Sequence, residues 1–501
     1  MLLLLLPPLA AAQNACSALN LPDLPDLSID STEPASAPVN HCVVEGTIGE
    51  EIHFRLLLPE NWNGKFVMGG DGGFAGTLNN QAIGLSSRGG ENVLQSGYAT
   101  VSTDVGHTPG PGGSASWAFN NLERVINYGH LGVHRTAVSA KSLISGYYGQ
   151  EIDRSYFYGC SNGGREALME AQRYPNDFDG IIAGAPAYNW TGLMSGFLAN
   201  QQALFPDPDD LSEALLSVNE LNIIEQQVLG QCDASDGLVD GILNDPRNCD
   251  YDIDELPSCN GIDNDSCFTK QEIEAARTVY EGPRTPTGEQ LFVGFPFGGE
   301  PDNGGWPSWI AGGLDQELRE GYPNAQFYFA IEAMKYLFLH DPEWQYSNYD
   351  LSSYQADTRY VDSTLSATDP DLSAFRSQGG KLLLYQGWSD AAISALGTID
   401  YYQHVVEHDA SASEDVKLFM MPGVLHCSGG KGPYAVKFLE ALDNWVESGN
   451  APSRLSANFV ENQEIQDASR PLCAYPSVAR YDGSGDDRDE SNFRCEAADV
   501  N

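Results

Sequence analysis

One run, YFYGCSNGGREALMEAQRYP at residues 156–175, restricts this chain more than any other. An apolar, β-rich segment enters Gly159-Cys160-Ser161-Asn162-Gly163, and helical spacing follows from Gly164 to Tyr174. A strand, a tight Gly-x-Ser-x-Gly turn and a helix form a nucleophile elbow. Glycines on either side of the serine let the backbone bend sharply and lift the hydroxyl clear of a sheet. The helix also points its first N–H groups at that spot, where negative charge develops during acyl transfer. In a chain with 52 glycines the five-residue pattern arises by chance, so its place between strand and helix carries the weight.

The remaining sequence supplies the sheet that such an elbow requires. Residues 40–195 alternate β-rich and helical stretches. KFVMGGDGGFAG ends a strand in glycines, GYATVSTDVGH and SYFYG are strands, HRTAVSAKSLISGYYG has helical spacing, and GIIAGAPA follows the elbow helix. This alternation predicts a largely parallel sheet covered by helices on both faces. From 196 to 370 the texture changes to Asp, Gly, Pro and Trp without regular alternation, and near 380 the pattern returns with GKLLLYQGWSD, VKLFMMPGVLHC and YAVKFLEALDNWVESG. The expected fold is α/β, with an α/β-hydrolase core at 13–195 and 371–501 and a large inserted lid domain at 196–370. A tail after 470 would be pinned by Cys473 and Cys495.

The opening MLLLLLPPLAAAQNA resembles the end of a secretory signal peptide, expected at 1–12, although a basic start is missing. No other apolar run is long enough to span a membrane. Ten cysteines, an even number without a C-x-x-C pair, suit disulfides in an exported protein better than a zinc ribbon or a redox centre. Cys232 with Cys249, Cys259 with Cys267, and Cys473 with Cys495 are close enough to close local loops. Cys16 and Cys42 stand near the start, and Cys160 and Cys427 far apart. A net charge of −44 excludes nucleic acid as a partner and disfavours an anionic membrane or a strongly anionic substrate.

A serine needs a base, and the base needs an acid to orient it. In an α/β-hydrolase the chain order is serine, acid, histidine. Asp390 follows the late strand of LLLYQGWSD, and His426 follows the next strand in LFMMPGVLH. His107, His134 and His404 have no such positional requirement and are read as structural. If Ser161 and His426 meet, then Cys160 and Cys427, each adjacent to one of them, are neighbours. A disulfide there would tie the nucleophile strand to the histidine loop. Two separate buried thiols are the competing reading.

GCSNGGR, the late GWSD and HC together resemble the tannase and feruloyl esterase family of secreted serine esterases. STDVGH, HRTAVSAKSL and YDGSGDDRDESNFRC extend the likeness over nearly the whole chain. The resemblance implies five disulfides: Cys16–Cys42, Cys160–Cys427, Cys232–Cys249, Cys259–Cys267 and Cys473–Cys495. It also implies an oxyanion hole from Gly73, in the family's glycine loop, and Asn162, the residue after the nucleophile. Gln386 departs from the pattern, since relatives often place a histidine ahead of the acid, so no role carries over to it.

Asp233, Asp236 and Asp240, with the carbonyls of Leu238 and Ile242, make an oxygen-rich loop suited to Ca²⁺. The spacing is not that of an EF-hand, and chemistry alone equally allows a solvated acidic loop. The resemblance implies a structural calcium at these five positions and no organic cofactor. It implies small aromatic, hydroxycinnamic-type esters as substrates, with gallate esters and the monoester of terephthalate with ethylene glycol as alternatives. The last needs a cation for its free carboxylate, and Arg319 and Lys335 lie in the lid. Trp306, Trp309, Phe327 and Tyr328 are acyl-pocket candidates, and lid core is an equal reading of them. A secreted or periplasmic location follows from the resemblance and the cysteines. A rival of another class is a non-catalytic, calcium-stabilised binding protein of the cell envelope.

Overall fold

The computed structural model describes residue 16 and residues 24–259, 266–313 and 321–498. The expected signal segment, 1–12, lies outside the described residues, as does Arg319. Nine strands build the main sheet: β1 (Leu27–Ala35), β2 (His41–Ile48), β3 (Ile52–Pro59), β4 (Lys65–Gly69), β5 (Ala99–Thr103), β6 (Arg154–Cys160), β7 (Gly180–Gly184), β8 (Lys381–Gly387) and β9 (Val416–Met421). Their spatial order is β1-β2-β3-β5-β4-β6-β7-β8-β9. Every neighbouring pair from β5 to β9 is parallel, while β1 to β3 form an antiparallel edge joined to β5. The sheet is therefore mixed. That edge begins at Leu27, upstream of where sequence alternation becomes visible.

Strand β7 is buried throughout and β6 is buried from Ser155 to Cys160. Both consequently read as unbroken apolar runs, as expected of strands covered on two faces. The alternating burial of β2 reflects a half-covered edge. The sheet reverses direction of growth between β4 and β6, because the chain places β5 outside β4 and then returns past it to lay down β6. Such a switch opens a crevice at the carboxyl ends of its strands. The glycine loop after β4 and the elbow after β6 leave from that crevice.

Between β7 and β8 lies an inserted region of helices, which includes Trp190–Leu204, Val218–Cys232, Lys270–Glu281 and Ala325–Glu332. After β9 the chain forms a small sheet of β10 (Ala435–Val436), β11 (Arg454–Glu461) and β12 (Glu464–Cys473), then a hairpin of β13 (Ser477–Tyr481) and β14 (Phe493–Ala497). All five expected disulfides are formed.

Candidate active site

The elbow helix runs from Asn162 to Arg173, two residues earlier than its sequence pattern suggests. It starts directly after Ser161, whose backbone sits at φ 65°, ψ −122°. A side chain held at positive φ is strained, and such strain persists only where the surroundings enforce it. The enforcement is visible here. A Cβ on Gly159 would lie 2.1 Å from the carbonyl oxygen of Gly163, so only glycine lets the strand and the helix start approach this closely. Gln81 clamps the strand end, accepting from the Cys160 N–H at 2.8 Å and donating to the Cys160 carbonyl at 3.2 Å. Sequence reading did not single out Gln81.

Asp390 and His426 come from the ends of β8 and β9, and their two loops are zipped together. Trp388 N–H donates to the Met421 carbonyl at 3.0 Å, and Ser389 N–H to that of Val424 at 3.0 Å. His426 Nδ1 lies 2.9 Å from Asp390 Oδ2 and 3.1 Å from Oδ1. The Asp390 side chain is fully buried, that of His426 13% exposed. Asp390 Oδ1 accepts the N–H groups of Ala392 at 2.8 Å and Ile393 at 2.9 Å. Gln386 Nε2 donates to Oδ2 at 3.0 Å, and Thr398 in turn donates to Gln386 Oε1 at 2.8 Å. The departure at Gln386 thus supplies an amide that holds the acid.

Cys160 and Cys427 are bonded, with Cα atoms 6.1 Å apart. The residue before Ser161 is covalently tied to the residue after His426. A family model described as "Tannase and feruloyl esterase" matches residues 36–496. The chain belongs to this family.

The mono(2-hydroxyethyl) terephthalate hydrolase of Piscinibacter sakaiensis is 33% identical, over 93% of this chain and 86% of that protein. Feruloyl esterase B of Aspergillus niger is 30% identical, over 87% and 82% respectively. An esterase from Aspergillus oryzae of known crystal structure superposes with a TM-score of 0.85 at 26% identity, covering 97% of this chain and all of that one. Esterase-type hydrolysis of small esters comes with membership, as does the α/β-hydrolase core with its lid-like insertion.

In this family member the glycine loop after β4 is locked to the elbow helix by side chains. Asn162 Nδ2 donates to the Asp71 carbonyl at 3.1 Å and to Glu166 Oε1 at 2.9 Å, while Glu166 Oε2 accepts the Asp71 N–H at 3.1 Å. Arg165, fully buried, donates to Asn162 Oδ1 at 2.8 Å and to the carbonyls of Tyr128 and Gly129. The Tyr128 hydroxyl donates to the Gly73 carbonyl at 3.1 Å. Burial pushes the Glu166 carboxyl up to about 8, opposed by Arg165 and reinforced by Asp71. Gly73 itself is at φ +59°, with Phe329 over it: a Cβ there would lie 3.3 Å from Cζ of that ring. The first turn of the elbow helix leaves N–H groups without intrahelical partners beside this loop.

From the lid, Trp309 meets the His426 ring edge-on at 5.0 Å and stacks with Phe329 at 6.2 Å. Trp306 is buried against Tyr280, and Phe327 against Phe205 and Tyr346. Tyr328 donates to the Gly113 carbonyl at 2.5 Å and meets Phe74 edge-on. Of the four sequence candidates, Trp309 is the one whose ring packs against that of His426 among the described residues. Phe329, which sequence reading passed over, adjoins two of those candidates but gave no signal of its own. Lys335 lies half-buried in the π-helical segment Ala333–Phe338 that continues helix Ala325–Glu332. His107 is structural in its contacts: Nε2 bonds the Phe74 carbonyl, the ring stacks on Trp117, and burial pushes it down to about 4.

In the lid loop, Asp233 Oδ1 accepts the N–H groups of Asp240 and Gly241, Asp236 accepts those of Leu238 and Asn244, and Asp240 accepts that of Ile242. Burial raises Asp236, and the charges of Asp240 and Asp233 add to it. Asp240 Oδ2 is buried with no aligned hydrogen bond, and Arg470 Nη2 lies 2.7 Å away as an ion pair. The three carboxylates share one loop and raise the cost of charge at Asp236, but Asp240 Oδ2 is already paired with Arg470, and among the described residues the three do not converge as a ligand group.

Proposed function

We propose that this protein is a secreted serine carboxylesterase acting on esters of aromatic acids, feruloyl-type esters foremost. The Asp390–His426 pair, on loops bonded through Cys160–Cys427 to the nucleophile strand, carries the reading. Asp390 accepts from His426 Nδ1–H, which leaves Nε2 free to take the proton of Ser161 Oγ. The serine oxygen bonds to the ester carbonyl carbon, and the carbonyl oxygen becomes an oxyanion received by the N–H groups of Gly73 and Asn162. His426 returns the proton to the leaving alcohol as the C–O bond breaks, and an acyl-enzyme remains. Water, deprotonated by the same nitrogen, then attacks the acyl carbon, releasing the acid and restoring Ser161.

Trp309 and Phe329 form an aromatic wall for the acyl ring. A calcium ion held by Asp233, Asp236, Asp240 and the carbonyls of Leu238 and Ile242 would fasten the lid loop, and no catalytic step passes through it. Five disulfides fit an oxidising compartment, outside the cell or in a periplasm. A second reading, hydrolysis of a terephthalate monoester, draws on the 33%-identical relative. The test is fluorophosphonate labelling of Ser161, then turnover of methyl ferulate, a gallate ester and the terephthalate monoester. Absence of labelling in folded protein would overturn the serine mechanism and favour a non-catalytic binding protein. Fastest turnover of the terephthalate monoester would replace the feruloyl assignment.

A further inference from the structure

Behind the elbow, helix Gly132–Tyr148 faces helix Asn162–Arg173, and His134, Glu170 and Asp177 converge between them. Each offers one ligand atom, and the three atoms lie within 4.8 Å of one another. Glu170 is 1% exposed, and neither of its carboxylate oxygens has a hydrogen-bond partner among the described residues. A buried carboxylate without a donor is costly and demands a proton or a cation. Its neighbour Asp177 is a second carboxyl, already engaged with His134 Nδ1 at 2.6 Å. The nearest ammonium, Lys141, donates to the backbone carbonyl of Asp177 and sits over the Phe178 ring, and it makes no ion pair with Glu170 among the described residues. The His134 ring is held flat against Tyr174, centroids 3.8 Å apart, and Tyr174 is fixed in turn by His130.

We propose that His134, Glu170 and Asp177 form a second cation site, selective for a transition metal of the Zn²⁺ type rather than for Ca²⁺. One imidazole nitrogen and two carboxylate oxygens on rigid elements are a three-ligand set that zinc completes with water, whereas calcium prefers oxygen alone. The His134 side chain is 29% exposed, which leaves a route from solvent and room for that water. Binding would displace the proton now shared between His134 and Asp177. The ion would pin the elbow helix to its neighbour, and the site stands independently of the esterase reading.

The test uses whole, chelator-stripped protein. Zinc chloride is titrated calorimetrically, and melting temperature is followed with zinc and with calcium. One zinc per chain is expected, with a rise in melting temperature. Glu170→Gln should weaken that binding at least hundredfold, and Asp236→Ala, in the lid loop, should leave it intact. Glu170→Gln keeps the carboxyl's shape and relieves its repulsion with Asp177, so it should fold. Should it not, His134→Gln provides the same comparison. Zinc binding that survives both substitutions would place the ion elsewhere and overturn the proposal. A wild-type protein silent to zinc would do so too, leaving Glu170 a neutral acid that shares a proton with Asp177.

Discussion

Replacing both Cys160 and Cys427 by alanine tests whether the bridge holds the proposed base His426 beside Ser161. In the sheet, β6 and β9 are separated by β7 and β8. At about 4.8 Å per strand the two lie roughly 14 Å apart. The histidine loop must therefore reach back across two strand ends, and no sheet hydrogen bond joins it to β6. The bridge brings the two backbones to 6.1 Å. It closes 267 residues, for which chain entropy sets a ceiling of about 5.5 kcal/mol on its contribution to stability, with about 2–4 kcal/mol typical. Loss of about 1 Å of definition in such a pair costs on the order of a hundredfold in rate. The double variant should melt lower and, assayed well below its melting temperature, show a kcat reduced about a hundredfold with KM little changed. Steady-state kinetics on methyl ferulate with circular dichroism on the same sample measures both. A folded double variant with wild-type kcat would refute the reasoning and reduce the bridge to a staple.

Other perturbations test separate parts of the site. Glu166 keeps a proton in the folded protein up to about pH 8, which the unfolded chain loses near the ordinary 4.5, so stability falls as pH rises between them. Glu166→Gln should remove that fall, worth about 1.4 kcal/mol per pH unit at most, and melting curves parallel to wild type across this window would contradict it. Trp309→Ala should lower kcat/KM about tenfold for methyl ferulate and much less for an acetate ester, since only the aromatic acyl group loses its wall. Equal losses on both substrates would remove Trp309 from the acyl pocket. Adding calcium to chelator-stripped protein should raise the melting temperature of wild type but not of Asp236→Ala, because a metal that binds only folded protein stabilises it by about 2.7 kcal/mol at a hundredfold excess over Kd. Indifference of the wild-type melting temperature to added calcium would remove the lid calcium.

Local signals were legible in the sequence because they are set by neighbours along the chain. A sharp turn needs glycine beside Ser161, doubly covered strands need continuous apolar runs, and a fixed chain order points to Asp390 and His426. The pairing of Cys160 with Cys427 was legible for the same reason: each is adjacent to a residue whose partner was already chosen. Contacts between segments distant in sequence needed the tertiary structure. Gln81 clamping the end of β6, Gln386 holding Asp390, and Arg165 with Glu166 locking the glycine loop are ordinary polar residues in the sequence. Only burial, which removes water as the alternative partner, turns them into parts of a site. His134 illustrates the limit from the other side. It reads as a structural histidine on its helix, and becomes a possible ligand only where Glu170 and Asp177, 36 and 43 residues away, fold against it. Likewise, four lid aromatics are equivalent as letters, and packing of the insertion against the histidine loop singles out Trp309 and the unheralded Phe329.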